Sequence, residues 1–581
     1  MLFALLSVGF HMFLVYSGLI PALVSRPIHF MLALPWIFFL LPQNTRFDRI
    51  SAPVFFLIGL VGAGWIMLGH SDITRQYGST RGTWQLWATG GLILVTLEMA
   101  RRAIQWVLPL VALIVLIYGA FGHLLSGDFG HAGLPVDYFL GTLVLTEAGL
   151  WSELTGISAE VIAPFIILGA FISAGTAGTG FMAVATQVAG RFRAGVAKIA
   201  IISSALYGSL SGVAAANTAS TGIVTIPAMI RLGYPRSLAA ATEAVASTGG
   251  QIMPPLMGAS VFIMAELLTI PYTTIMVAAT LPAILFFATA WIAVHQYGIK
   301  YDLKGIDRKD LPGWGFVART LPFFVVPMGI LIYCLAFTSY TAPYSAFFAI
   351  FTMIALLLLD STGRMSLSRW VHRMWLAIED AATQIAKITA IICCAALIVG
   401  VFSMTGLGVK ITSLVLSVSG ENLWLALALT GLAALILGME LPTPAAYVIC
   451  VAVAGPALVE LGLEPLYAHL FVFWYALLCT ITPPVCGNVF IAAGIAQTPW
   501  LGVAFRSMSI GVGLFLVPMA FIANPSLLLL GSQPAFAFLA MVKILIGLTF
   551  FSFGVVGTKP NILLRIASVA LGFVVIFFFG V

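Results

Sequence analysis

The sequence contains little charge. Only 8% of its 581 residues are Asp, Glu, Lys or Arg, whereas a soluble globular domain typically carries about 25%. Polar stretches are also too short to form a domain outside a membrane. These two absences exclude a soluble enzyme, a disordered protein, a nucleic-acid binder and a receptor whose mass lies outside the bilayer.

Reactive motifs are absent as well. HExxH, GxSxG and Walker A patterns do not occur, and the eight histidines show no ligand spacing. We therefore expect no enzymatic activity, no ATP hydrolysis and no cofactor. The six cysteines stand in apolar runs without a CxxC pair, which predicts buried thiols: Cys334, Cys393, Cys394, Cys450, Cys479 and Cys486.

Apolar residues dominate the composition. They make up 61% of the chain, the mean hydropathy is +1.10, and apolar runs follow one another from Met1 to Val581. About 20 such residues span a bilayer, so the chain is long enough for roughly fifteen crossings. This predicts an all-α polytopic membrane protein.

Basic residues give the chain a predicted orientation. The net charge of +6 reflects clustered Lys and Arg, which are typical of cytoplasmic loops. Residues 122–137 contain neither and are expected outside. The clusters predicted to be cytoplasmic are Arg46 and Arg49; Arg101 and Arg102; Arg191, Arg193 and Lys198; Arg231 and Arg236; Lys300 through Lys309; and Arg364, Arg369 and Arg373.

Two interruptions follow one another between Lys198 and Thr269. Both ends of the segment from Lys198 to Arg231 are basic, and its second apolar arm, after the small polar residues 211–221, is about ten residues, too short to cross. We therefore expect a re-entrant hairpin. The next helix is expected to break at Thr248–Pro255, because two glycines and two prolines disfavour a continuous helix.

The same pattern recurs 228 to 230 residues later. Gly178 matches Gly406, Gly233 matches Gly462, Pro254-Pro255 matches Pro483-Pro484, and Pro271 matches Pro499. The second hairpin tip is expected at Met439–Pro444. Acidic residues follow this second hairpin where basic residues follow the first, which predicts an inverted-topology repeat, an architecture of secondary transporters.

This repeat divides the chain into three predicted regions. A small membrane domain of four to five helices occupies residues 1–125, and a large transport domain occupies 126–523. Within the large domain, the repeats cover about 158–297 and 376–523 and are joined by scaffold helices at about 320–359. Extra helices form residues 524–581.

Three acidic residues fall within apolar segments, where a charge is a functional hypothesis by default: Glu243, Glu266 and Glu440. Each could carry a proton, bind a cation or serve structure alone. The breaks and tips also expose neutral oxygens suited to small cations, which suggests a pair of cation sites beside an anionic substrate. These oxygens belong to Asn217, Thr218, Ser220, Thr221, Gln251, Thr443, Thr480, Thr482 and Asn488.

Four segments resemble a known family. They are GTAGTGFM at 175–182, SGVAAANTASTGIVTIPAM at 211–229, GGQIMPPLMG at 249–258 and TITPPVCGN at 480–488. They are similar to the fused permease subunit of tripartite ATP-independent periplasmic (TRAP) transporters, closest to the subtype served by TAXI-type binding proteins. The resemblance covers about residues 140–523.

The resemblance implies an elevator-type transporter that imports a small organic acid, delivered by a periplasmic binding protein and driven by Na⁺ or H⁺. Carried onto this chain, it implies substrate contacts from Asn217, Thr218, Ser220, Gln251, Thr443 and Asn488. The cation or coupling residues would be Ser211, Gly249, Gly250, Met253, Glu243, Glu440, Thr480, Thr482, Pro483 and Gly487. An acid at the second tip, Glu440, leaves Na⁺ and H⁺ as rivals.

Three other functions compete with this interpretation. A stand-alone cation-coupled carboxylate carrier would need no binding protein. A gated channel would conduct passively and leave the inverted hairpins unexplained. A membrane-embedded transferase lacks a catalytic constellation.

Overall fold

A computed structural model describes residues 2–18, 20–42, 45–359, 365–439, 441–557 and 561–578. Within these ranges the regular structure is helical and no β-strand forms. Nine helices there are long and apolar enough to cross a membrane, or ten if the bent pair Trp314–Thr320 and Pro322–Phe337 is one span. Length alone suggested more crossings, but the breaks divide much of the apolar sequence into shorter helices.

Five long helices and one short helix precede residue 125. Thr45 caps α3 (Arg46–Leu68) through a capping box with Asp48, and an ion pair between Arg101 and Asp48 holds the start of this helix beside the end of α5 (Thr83–Ile104). The two basic clusters predicted to share the cytoplasmic side thus lie together. The helices are α1 (Leu2–Ser17), α2 (Ala22–Pro35), α3 (Arg46–Leu68), α4 (His70–Thr74), α5 (Thr83–Ile104) and α6 (Val107–Phe121).

The next region contains the first hairpin and the first break. Its helices are α7 (Val136–Leu145), α8 (Glu153–Ile157), α9 (Ala163–Ser173), α10 (Ala177–Ala189), α11 (Gly195–Ser211), α12 (Ala214–Arg231), α13 (Arg236–Gly249), α14 (Ala259–Leu268) and α15 (Tyr272–Lys300). A π turn at Ser158–Ile162 joins α8 to α9. The break between α13 and α14 spans residues 250–258. It overlaps the predicted break at Thr248–Pro255 and extends three residues further towards the C-terminus.

One sequence expectation for this hairpin was wrong. The second arm, α12, has 18 residues rather than about ten, because the polar residues expected at the tip are helical. Thr218, Ser220 and Thr221 each donate a hydroxyl hydrogen to the carbonyl four residues earlier, so polar side chains are satisfied without leaving the helix. The turn itself is only Gly212-Val213.

Three helices link the two halves: α16 (Trp314–Thr320), α17 (Pro322–Phe337) and α18 (Ala342–Leu356). The second half comprises α19 (Leu367–Thr405), α20 (Leu407–Ser419), α21 (Leu423–Gly438), α22 (Thr443–Glu460), α23 (Pro465–Leu478), α24 (Gly487–Ala496), α25 (Trp500–Ile510) and α26 (Val512–Ala523). A paired hairpin, α27 (Pro534–Val556) and α28 (Ile562–Phe577), follows and packs against α15.

Backbone conformation supports the internal repeat. Gly233 and Gly462 turn with φ values of 86° and 89°, while Thr269 and Gln497 end α14 and α24 in the left-handed region at 52° and 50°. Both pairs keep the offset read from the sequence. The pair Gly178 and Gly406 differs, since Gly178 lies inside α10 whereas Gly406 is the left-handed residue between α19 and α20.

The helix α19 connects the N-terminal helices with the large domain. Its 39 residues contact the N-terminal helices α1, α2, α5 and α6 and also α9 and α22 of the large domain. A buried hydrogen-bonded group joins these layers: His29 Nε2 lies 3.0 Å from both Ser158 Oγ and Thr389 Oγ1, and His29 Nδ1 lies 2.7 Å from His11 Nε2. The N-terminal helices are therefore fixed to the same helix that begins the second repeat. All six cysteines are buried and free, as predicted.

Candidate functional site

The two broken helices run antiparallel. At one end, Arg236 Nη1 at the start of α13 donates to the carbonyl of Ala496 at the end of α24, at 3.1 Å. At the other end, Asn488 Nδ2 at the start of α24 donates to Thr248 Oγ1 near the end of α13, at 2.8 Å. The first half of one broken helix thus lies beside the second half of the other.

This arrangement brings the two breaks into direct contact. Thr248 Oγ1 and Thr480 Oγ1 lie 2.9 Å apart, and Asn488 is 2% exposed. Both threonine hydroxyls also lie 2.8 Å from a carbonyl of their own helix, that of Ala244 or Leu477. A hydroxyl carries a single hydrogen, so these threonines keep acceptor capacity for a ligand or for each other. We call Thr248, Thr480 and Asn488 the break junction.

The first hairpin packs closely on the first break. An added Cβ on Gly208 would collide with Gly250, and it would lie 2.8 Å from Asn217 Nδ2. Only glycines allow this approach of two backbones. Asn217 is fully buried and donates from Nδ2 to the carbonyl of Ser204 at 2.9 Å, which fixes the hairpin arms to one another beside Gly250.

Glu243 lies in a group of hydroxyls about two helical turns before the break. It is fully buried. Ser204 Oγ and Ser247 Oγ donate to Oε1 at 2.8 and 3.0 Å, Thr221 also contacts Oε1, and Thr225 contacts Oε2. We call these four side chains the hydroxyl cage.

The hydroxyl cage is continuous with the first hairpin. Thr221 Oγ1 contacts Glu243 and lies 2.8 Å from the carbonyl and 3.3 Å from Oδ1 of Asn217. Asn217 in turn borders Gly250 at the break. A chain of polar contacts therefore connects the buried carboxyl with the first break.

The other predicted site residues show no side-chain hydrogen bond to the break junction or the hydroxyl cage in the described part of the chain. Ser211 Oγ is buried without a hydrogen-bond partner in the part of the chain described here, Ser220 is exposed, and Gln251 is 4% exposed. Thr443 begins α22, buried to 9% exposure. Thr218 and Thr482 donate to carbonyls of their own segments. Gly249, Met253, Pro483 and Gly487 belong to or flank the two breaks.

The predicted acids have different locations. Glu266 is exposed on α14, whereas Glu243 is buried. Glu440 lies outside the described residues. Sequence reasoning missed Ser204, Thr225, Ser247 and Thr248 as site residues. Thr221 and Thr225 follow Asn217 at four-residue spacing and so share one face of α12, and Thr248 was recognised only as the start of the break.

The chemistry of this region is that of neutral oxygens around one carboxyl. Among the residues described, no group of three or more His, Cys, Asp or Glu could hold a metal ion. Hydroxyls and amides can hold a small cation or donate to an anion. The arginines described on α12 and α13 are Arg231, the last residue of α12, and Arg236, the first residue of α13, and both lie at the helix ends away from the break junction.

Comparison with known proteins identifies relatives for most of the chain. The family model of the tripartite ATP-independent periplasmic transporter, DctM component, matches residues 92–536. The C4-dicarboxylate TRAP transporter large permease protein DctM of Pseudomonas aeruginosa is 26% identical over 351 residues, covering 59% of this chain and 78% of that protein. Its counterpart in Rhodobacter capsulatus is 24% identical over 440 residues, covering 68% and 96%. The isethionate TRAP transporter permease protein DctMQ of Oleidesulfovibrio alaskensis is 22% identical over 373 residues, covering 63% and 55%.

Proposed function

The chain belongs to the DctM family of tripartite ATP-independent periplasmic transporters, and from this premise we propose that it imports a small organic acid across the bacterial or archaeal cytoplasmic membrane. Its relatives are transporter permeases rather than enzymes. The acid is delivered by a soluble periplasmic binding protein, as in other transporters of this family. A Na⁺ or H⁺ gradient drives accumulation.

The observation that carries this proposal is the break junction. Thr248, Thr480 and Asn488 come from two helix breaks 232 to 240 residues apart in sequence and meet at hydrogen-bonding distance. Discontinuous helices that meet between repeats are where secondary transporters bind substrate and ions. The antiparallel course of the two broken helices is what an inverted repeat requires.

The substrate class follows from relatives and from the site. Two similar proteins are named for C4-dicarboxylates and one for isethionate, all small organic anions. Because no guanidinium lies at the break junction in the described structure, the anion is held by amide and hydroxyl donors and by half-helix ends. We propose that the transported substrate is a small carboxylate with a low net negative charge.

Partner type and organisation extend the proposal. The segments at 211–229 and 249–258 resemble permeases served by TAXI-type binding proteins, so we propose a partner of that type. The five long N-terminal helices that precede α7 act as the small membrane domain, fused here to the large permease. Transport proceeds by an elevator movement of the hairpins and broken helices against α17, α18 and the N-terminal helices.

Uptake into proteoliposomes tests this function. The purified permease is given labelled dicarboxylates, keto acids and amino acids, with and without the candidate binding protein, under an imposed Na⁺ gradient and then an imposed pH gradient. Accumulation of one acid that needs both the binding protein and a gradient is expected. Accumulation without the binding protein would instead indicate a stand-alone carrier, and gradient-independent conductance in planar bilayers would indicate a channel.

A further inference from the structure

Glu243 has no cationic partner. The charged and titratable side chains on the helices packed against it have other partners or are exposed, and none contacts Glu243 within the described residues. Arg231 is exposed, and each of the others has a different hydrogen-bond partner. These pairs are Lys198 with His295, Tyr207 with Ser220, Arg236 with Ala496, Tyr272 with Pro255, Tyr297 with Ser509, Lys300 with Val556 and Arg506 with Tyr301. A buried carboxyl therefore depends on hydroxyls alone, and burying an unpaired charge is costly.

The hydroxyl cage fits the carboxyl with and without its proton. Thr225 Oγ1 contacts Glu243 Oε2 and also lies 3.1 Å from the carbonyl of Thr221. If Glu243 is ionised, Thr225 donates its single hydrogen to Oε2. If Oε2 carries a proton, Oε2 donates to Thr225, which turns its own hydrogen to the carbonyl. Rotation of one hydroxyl therefore satisfies the hydrogen bonds of both states, and only the proton itself has to enter or leave.

A cavity of about 700 Å³ reaches the hydroxyl cage through Thr225. It lies between α10, α11, α12 and the loop 302–307, and we call it the Thr225 cavity. Thr225 is its most buried polar lining residue, at 2% exposure. Its opposite rim carries the exposed side chains of Asp302, Lys304 and Asp307.

The rim of the cavity belongs to one side of the membrane. The loop 302–307 is joined to the turn at 190–194 by backbone hydrogen bonds, from Ile306 N to Gly190 O and from Ala194 N to Leu303 O. Both segments lie in Lys- and Arg-rich stretches, and such stretches face the cytoplasm. A polar opening on that side thus leads towards the one buried carboxyl beside the first break.

We propose that the Thr225 cavity is the aqueous route by which Glu243 exchanges a proton with the cytoplasm during transport. On release, the O–H bond at Oε2 breaks and its proton passes to Thr225 Oγ1, while the hydrogen of Thr225 passes to a water in the cavity. Uptake of a proton reverses these transfers. The inference rests on the proposed function and specifies H⁺ as the coupling ion.

The direct contact of hydroxyls with the carboxyl also bears on the rival ion. Ser204 and Ser247 lie at hydrogen-bond distance from Oε1, so hydrogens occupy the space that a cation would need between the oxygens. A bound Na⁺ would have to separate these groups.

The test follows the carboxyl itself and needs no substrate. Infrared difference spectra of the full-length protein in proteoliposomes are recorded between acid and alkaline pH, and the protonated-carboxyl band is assigned by its loss in Glu243→Gln. A switch from H₂O to D₂O then gives the exchange rate of that band. Thr225→Val removes the hydroxyl at nearly constant shape, and we expect exchange to slow about tenfold or more, the rate equivalent of one lost hydrogen bond to a charged carboxylate. Thr225→Ser keeps the hydroxyl and should exchange like the wild type.

Cavity access is tested with cysteines. Ala228, which lines the cavity, and Ile223, which is 65% exposed on the same helix and does not line it, are each replaced by Cys. An impermeant bulky thiol reagent applied on the cytoplasmic side should slow exchange in Ala228→Cys and leave Ile223→Cys unchanged. The native thiols are buried, so they give little background.

Several results would overturn the proposal. These are wild-type exchange in Thr225→Val, no reaction of Ala228→Cys from the cytoplasmic side, a carboxyl band that does not change with pH, and a band that responds to Na⁺ at fixed pH. Failure of the transport proposal would appear separately, as normal exchange in a protein that accumulates no acid in the uptake assay.

Discussion

Asn488 connects the two halves of the molecule through one amide hydrogen. Its Nδ2 donates to Thr248 Oγ1 at 2.8 Å from a nearly buried position, so the amide both orients the break junction and keeps Oδ1 available. A neutral hydrogen bond contributes about 1 kcal/mol net, roughly a fivefold change in an equilibrium constant.

Replacement of Asn488 by Ala should therefore lower the apparent affinity of the permease for the transported acid. We expect the KM for uptake to rise about fivefold or more, by the value of one hydrogen bond. The matched control is Asn422→Ala, which removes the cap that accepts from Leu425 N at 3.1 Å. The control should lower stability by about 1 kcal/mol and leave KM unchanged. A wild-type KM in Asn488→Ala would remove this residue from the site.

Sequence reasoning at this scale identified the residues that differ from their surroundings. Asn217, Glu243 and Asn488 are conspicuous in apolar segments, and the structure places all three beside the breaks. Ser204, Thr225 and Ser247 were missed because a single hydroxyl in a transmembrane helix most often bonds to its own backbone. Their role depends on convergence from three helices, which no local pattern contains.

At the scale of the helices, the contact between α11 and the first break depends on two glycines. Gly208 and Gly250 approach backbone to backbone, and a Cβ on either would collide with the other residue. The hairpin can therefore lie against the break only while both positions lack a side chain.

Gly208→Ala should destabilise the protein. Overpacking in a close contact costs about 1–3 kcal/mol, which outweighs the helix propensity that Ala gains. Gly178→Ala on α10 is the matched control, since its Cβ would meet nothing nearer than 3.9 Å, and it should be neutral or stabilising. Thermal unfolding in detergent, followed by tryptophan fluorescence, measures both. Equal midpoints for the two variants would contradict the close contact.

The positions of the breaks could be predicted, but the length of one arm could not. Paired prolines and glycines at 249–255 and their repeats at 483–487 are strong local signals. The conformation of residues Ala214 to Thr221 was predicted wrongly. Small polar side chains are common in turns, but they also occur in helices where their hydroxyls donate to carbonyls of the same helix. Which of the two occurs is decided by packing against α11 and α13, not by composition.

At the scale of the whole molecule, the proposed elevator would move the hairpins and broken helices relative to the linking helices and the N-terminal helices. Hairpins and broken helices contact each other across the two repeats, whereas α17 and α18 pack against one another and α18 lies against α9. The offset of 228 to 230 residues made the repeat predictable. The packing of the N-terminal helices along α19 was not, since it joins residues as distant as His29 and Thr389.

Spin labels can detect this movement. One pair joins Val213 at the hairpin turn to Phe337 at the end of α17, and a control pair joins Val213 to Phe490 on α24; all three side chains are exposed. We expect the first distance to change by about 5 Å or more when substrate and a gradient are supplied, the scale of one helical turn, and the control distance to stay constant. Double electron–electron resonance gives both distances. An unchanged first distance, or equal changes in the two, would contradict an elevator.

The length of α19 has a consequence for the surroundings of the protein. At about 1.5 Å per residue, its 39 residues measure roughly 58 Å, about twice the thickness of the hydrocarbon layer. The first turns carry Arg369, His372 and Arg373, and Trp370 and Arg373 donate to the carbonyls of Ile354, Leu357 and Leu359 at the end of α18. We therefore expect this basic end of α19, braced by α18, to extend into water on the side predicted to be cytoplasmic, where it would limit how closely another membrane can approach.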